Sequence, residues 1–153
     1  MGRIAFIGLG SNLGEREETL RRALELLGER AGVRVVAVSP LHETDPVGYL
    51  DQPRFLNGAA QLETELTPLA LLDALLDVEK ALGRVREGPR FGPRTLDLDL
   101  LLYGDTVVDE PGLTVPHPRL HERRFVLEPL AELDPALVVP GRGNVTDLIS
   151  ELD

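Results

Sequence analysis

Asp97 and Asp99 stand two residues apart in Thr95-Leu96-Asp97-Leu98-Asp99-Leu100, where leucines alternate with polar residues. That is the period-2 pattern of a half-buried strand, and it projects both carboxylates from one face, roughly 6.5–7 Å apart. Aspartate is depleted in strands and like charges on one face repel. Two such groups pinned in register by leucines point to a cation between them. Hard oxygen donors in this arrangement suit Mg²⁺, which takes its remaining ligands from water and substrate phosphates. A strand whose outer face is merely acidic is the competing reading. Just upstream, Arg84, Arg86, Arg90 and Arg94 fall within eleven residues among Gly88, Pro89, Gly92 and Pro93. Those glycines and prolines forbid a helix and predict an exposed loop. Arginines beside a cation-binding carboxylate pair form a clamp for a polyphosphate, which makes phosphoryl chemistry the leading expectation.

Other candidates are weaker alone. Phe55 and Asn57 share one face of a predicted strand; an asparagine there offers a donor and an acceptor side by side, or is simply a satisfied edge residue. Glu79 lies near the end of a predicted helix, where the helix dipole disfavours an acid. The segment 113–125 is rich in arginine and histidine and reads as a second phosphate-facing element or as a solvated helix with salt bridges. Gly8 to Gly14 superficially resembles a dinucleotide fingerprint, but its spacing is wrong, and a tight turn into a helix is the expectation.

Composition narrows the classes. With 153 residues the chain suits a single domain, 1–153, and its net charge of −10 opposes a nucleic-acid binder. There is no cysteine, hence no disulfide and no thiolate chemistry. No apolar run has the length of a membrane span, and the N-terminus reads as a strand and not as a signal peptide. A cytoplasmic monomer acting on small molecules, without membrane or nucleic-acid partners, is expected. A P-loop is excluded, since Lys80 is the only lysine and no Gly-x-x-x-x-Gly-Lys run exists. The acidic balance also opposes a metal-dependent nuclease.

The elements that must position these residues follow from periodicity. Ile4 to Leu9 is predicted as a strand. A helix follows with Leu20, Ala23, Leu24 and Leu27 on its apolar stripe and Gly28 and Gly32 at its end. Val33 to Val38 is a second strand, and Ser39 to Arg54 a long irregular segment. Phe55 to Thr64 is a third strand. Thr67-Pro68 starts a helix along Leu71, Ala74, Leu75, Val78 and Leu82, ending at Gly83. The Asp97/Asp99 strand is fourth, followed by a hairpin turn and short strand over Tyr103 to Val108, and a short helix starts at Thr146. This order predicts an α+β fold: a ferredoxin-like αβα sandwich with an antiparallel sheet, an added hairpin and short C-terminal helices. The third and fourth strands would then bring Asn57 near Asp97 and Asp99.

The runs Gly10-Ser11-Asn12-Leu13, Asp51-Gln52-Pro53-Arg54-Phe55-Leu56-Asn57, Gly83-Arg84-Val85-Arg86, Gly92-Pro93-Arg94-Thr95-Leu96-Asp97-Leu98-Asp99 and Leu113-Thr114-Val115-Pro116-His117 span nearly the whole chain. In these the chain resembles the 6-hydroxymethyl-7,8-dihydropterin pyrophosphokinases of folate synthesis. The resemblance implies transfer of an intact pyrophosphoryl group from ATP to the pterin's hydroxymethyl oxygen, releasing AMP. It gives Asp97 and Asp99 two Mg²⁺ ions to hold, and makes Arg84 and Arg94 loop arginines that close over the phosphates. Arg86, Thr114, His117 and Arg123 match ATP contacts, Glu79 a residue near the ribose, and Leu98 one whose backbone meets adenine. Thr44, Asp45, Val47, Phe55, Asn57 and Phe125 align with the pterin pocket, and Phe91 with an aromatic that caps it. A flat heteroaromatic suits a place between Phe55 and Phe125, and loops 40–54 and 84–94 are the candidate lids. The chain departs from the family's common residues at Asp45, Phe91, Gly112 and Pro118. The non-enzyme alternative is a ferredoxin-like regulatory module that binds a small anionic ligand, needing the arginines but not the paired aspartates.

Overall fold

The computed structural model describes residues 2–12, 16–44, 55–83 and 96–152. Strand β1 (Arg3–Ser11) lies between β4 (Phe55–Thr64) and β5 (Leu96–Tyr103), antiparallel to both, and β2 (Val33–Val38) flanks β4, giving the order β2-β4-β1-β5. The short β3 (His42–Thr44) pairs with the start of β4. Alternation along these strands divides the core in two. Ala5, Ile7, Leu9, Ala60, Leu62, Leu96, Leu98 and Leu100 pack on one face against helices α1 (Arg16–Gly28) and α2 (Pro68–Gly83). On the other face Phe6, Ala59, Leu101 and Leu102 meet α3 (Arg124–Leu133) and α4 (Val145–Glu151). The result is the expected αβα sandwich.

Local chemistry sets the boundaries. Thr67 caps α2, its hydroxyl accepting the Ala70 N–H at 3.2 Å, with Pro68 at the first helical position. Asn144 caps α4 by accepting from the N–H groups of Thr146 and Asp147, so that helix begins one residue before the expected Thr146. No helix among the described residues is long and apolar enough to cross a membrane.

Three expectations are corrected. The segment 39–54 is not irregular throughout, because it contains β3. Gly8 and Gly10 form no turn; β1 runs through both to Ser11, because β4 and β5 pair with it on either side. The chain does turn at Gly104 (φ +56°), whose N–H donates to the Ile4 carbonyl. The strand that follows leaves the sheet, however: β6 (Val108–Glu110) pairs with β7 (Leu113–Val115), reversing near Gly112 (φ +85°).

Candidate active site

The paired candidate residues of β4 and β5 lie on the face of the sheet that α3 and α4 pack against. Gly10 is paired with Asn57 on one side and Asp97 on the other; Gly8 is paired likewise with Ala59 and Asp99. Residues directly opposite in antiparallel strands point to one face. Asn57 and Asp97 therefore stand on the same surface, two strand spacings or roughly 9–10 Å apart, with only glycine between them. A Cβ on Gly10 would lie 2.9 Å from the Asn57 Oδ1. Glycine at position 10 is demanded by this neighbour, whose amide fills the space that a side chain would take.

Asp97 is exposed and Asp99 half-buried. Among the described residues no group of three or more His, Cys, Asp or Glu side chains converges as a metal cage. Two carboxylates on one strand face fit an ion that takes most of its ligands from water and phosphate, as magnesium does. The donor set is hard oxygen throughout.

On the Asn57 side, the amide Nδ2 donates to the Thr44 hydroxyl of β3, which directs the amide oxygen towards Gly10. Phe55 is half-buried and paired with Thr44. A cleft of about 370 Å³ adjoins them, lined by His42, Glu43, Thr44, Arg124, Phe125, Glu128 and Pro129. The Arg123 guanidinium lies over the Phe125 ring, 5.8 Å from its centre. Thr44 and Phe125 thus line one opening, and Asn57 and Phe55 connect to it through Thr44, by the amide hydrogen bond and by strand pairing.

On the Asp99 side, Glu79 reaches from α2 and accepts the Leu98 N–H at 2.7 Å. Burial raises its carboxyl above the usual value, and the charges of Asp97 and Asp99 push the same way against that hydrogen bond. His117 is anchored by its own N–H to the Leu101 carbonyl at 3.0 Å. Its Nδ1 accepts the Arg119 N–H at 3.2 Å, which leaves the ring proton of the neutral form on Nε2. Burial lowers its affinity for a second proton, helped by Arg123 and Arg119 and opposed by Asp99. Thr114 and His117 share a second cleft, about 310 Å³, with Pro118, Leu120 and the turn carrying Arg142.

Asp97, Asp99, Asn57, Thr44, Phe55, Phe125, Arg123, Glu79, Leu98 and His117 therefore lie on or beside one end of the sheet, while Thr114, on the separate β6–β7 hairpin, is joined to them only by the cleft it shares with His117. Arg84, Arg86, Arg94, Phe91, Asp45 and Val47 lie outside the described residues. Sequence reasoning missed Gly8 and Gly10 as spacers, and missed His42, whose Nε2 meets both Glu132 carboxylate oxygens, at 2.9 and 3.0 Å. The glycines carried a signal: small residues inside an otherwise apolar strand, facing a strand with two acids. His42 carried none.

Residues 6–135 match the family model of 7,8-dihydro-6-hydroxymethylpterin-pyrophosphokinase. A 2-amino-4-hydroxy-6-hydroxymethyldihydropteridine pyrophosphokinase of Bacillus subtilis is 53% identical over 87% of this chain and 79% of its own length. A protein of the same name from Pseudomonas aeruginosa is 50% identical over 95% of this chain and 89% of its own. Among solved structures, the wild-type HPPK-DHPS of Plasmodium falciparum with pteroate superposes with a TM-score of 0.75 at 14% identity. That alignment covers 99% of this chain and 42% of the longer one, and it speaks for the fold.

Proposed function

Since the chain belongs to the 7,8-dihydro-6-hydroxymethylpterin-pyrophosphokinase family, we propose that it transfers the terminal pyrophosphoryl group of ATP to the hydroxymethyl group of the reduced pterin, in folate biosynthesis. The substrate's oxygen attacks the β-phosphorus and gives up its proton. The bond from that phosphorus to the oxygen it shares with the α-phosphorus breaks, and AMP leaves. No covalent enzyme intermediate is needed, only in-line placement and cancellation of charge.

The observation that carries this reading is the row Asn57–Gly10–Asp97 across three strands. Its span is comparable to that from the recognised edge of a bicyclic ring to a phosphorus beyond a substituent at its far end. Asn57, oriented by Thr44, reads the pterin edge, and Phe55 and Phe125 take the ring between them, with Phe91, Asp45 and Val47 completing the pocket. Asp97 and Asp99 hold two Mg²⁺ ions, which when bound neutralise charge along the triphosphate. His117 presents its Nε2–H, and with Thr114, Arg86 and Arg123 it contacts ATP. Glu79 sits by the ribose. The Leu98 N–H is taken by Glu79, so an adenine contact at that residue falls to its carbonyl. Arg84 and Arg94 close over the phosphates and exclude water. A cysteine-free chain suits the reducing cytosol, and a monomer suffices because every assigned contact comes from one chain.

Incubation with magnesium, ATP and 6-hydroxymethyl-7,8-dihydropterin tests the reading. AMP and the pterin diphosphate are expected; release of ADP, or no nucleotide product, overturns it. Chelation of magnesium should stop the reaction, whereas a regulatory module would release neither nucleotide.

A further inference from the structure

Strand β3 has three residues and pairs only with β4. So short an edge pairing is marginal by itself. Its side chains nevertheless reach three separate elements. His42 Nε2 donates to Glu132 of α3, at 2.9 and 3.0 Å from its two oxygens. Glu43, turned to the opposite face, takes Arg16 at the start of α1 at 2.5 Å. Thr44 accepts the Asn57 amide. The strand is thus tied to both helical layers, and its last residue decides which way the Asn57 amide points.

From this geometry we propose that His42 and Glu132 are positioning residues for pterin recognition: their hydrogen bond seats β3 so that Thr44 holds the Asn57 amide in its reading orientation. The inference rests on the pterin-binding role of Asn57. His42 and Asn57 are direct cross-strand partners, and Thr44 lies two residue pairs along on the same face, so a shift of His42 is transmitted along the strand to Thr44. Side-chain contacts between exposed polar groups contribute little to global stability, and both members of this one are substantially exposed. Losing the pair therefore alters the seat of β3 more than the fold. The amide is then free to rotate, and a ligand edge that needs a donor and an acceptor in fixed places is bound less well.

The test is equilibrium binding of 6-hydroxymethylpterin, followed by its fluorescence, with magnesium and a non-hydrolysable ATP analogue present. His42→Ala and Glu132→Ala should each weaken pterin binding roughly five- to tenfold. The double variant should be no worse than either. His42→Gln, whose amide can still donate to Glu132, should restore most of the loss. Affinity for the ATP analogue should stay within about twofold, since no nucleotide contact is touched. The inference is overturned if His42→Ala binds pterin like the unmodified protein, if both ligands weaken equally, or if His42→Gln restores nothing. An unmodified protein that binds no pterin overturns the assignment of Asn57 as well, which separates the two failures.

Discussion

The amide oxygen of Asn57 occupies the space that a side chain on Gly10 would need, 2.9 Å from the position of its Cβ. Gly10→Ala must therefore turn Asn57 away from Thr44 or push β1 from β4. The first is easier, because it moves only the end of one side chain. We expect Gly10→Ala to weaken pterin binding about tenfold or more while circular dichroism stays native. Gly8→Ala is the internal comparison. Its Cβ meets Leu101 at 3.5 Å, an ordinary contact, so its effect on pterin affinity should be clearly smaller. Equal losses in the two variants would mean that β1 and not the amide is being disturbed.

Asp97 and Asp99 carry like charges on one strand face, with Glu79 close enough to sense both. Removing either charge relieves repulsion. Asp99→Asn should therefore fold at least as stably as the unmodified protein, and both Asp97→Asn and Asp99→Asn should lose turnover by about two to three orders of magnitude, the scale of a lost transition-state electrostatic contact. Single-turnover AMP formation, with a melting curve alongside, checks both halves. A variant that melts earlier and turns over normally would make these residues structural.

Glu79 gives a pH prediction. Burial, then Asp97 and Asp99, raises its folded pKa above the unfolded value of 4.5. The folded protein thus holds that proton more tightly than the unfolded chain. Stability falls as pH rises through the window between the two values, and above it the cost is complete. Glutamine cannot ionise and can still accept the Leu98 N–H. In magnesium-free buffer Glu79→Gln should melt higher than the unmodified protein at pH 7, with the gap vanishing below pH 4.5. A lower melting point at pH 7 would show that the charge itself stabilises the fold.

What the sequence disclosed was whatever rests on local pattern. The leucines around Asp97 and Asp99 fix a strand and a face, and Thr67-Pro68 marks a helix start by its own cap chemistry. Pairing between distant segments leaves little trace. β3 is too short for periodicity, and it exists because β4 offers it an edge. Gly8 and Gly10 are local turn signals, overridden by what stands opposite them in the sheet. Gly104 does turn the chain, but the partner of β6 is β7 and not β5, which no window around Gly104 reveals. His42 and Glu132 are 90 positions apart; only the folded register brings them together.

The last prediction concerns the arginines of segment 84–94. Helix α2 ends at Gly83, four residues past Glu79, and β5 begins at Leu96, next to Asp97. Under the proposed function, the arginines of the segment between these two ends act on the phosphates that the Asp97/Asp99 pair locates. Negative charge develops on the leaving AMP oxygen as its bond to the β-phosphorus breaks, so a guanidinium there gains more in the transition state than in the ground state. Arg94→Ala should lower kcat about a hundredfold or more while ATP affinity changes by less than about tenfold. Arg84→Ala should behave alike. Nucleotide binding measured with a non-hydrolysable analogue, beside single-turnover rates, separates the two quantities. A loss divided evenly between them would make Arg94 an ordinary binding residue and leave the transition-state charge to other groups.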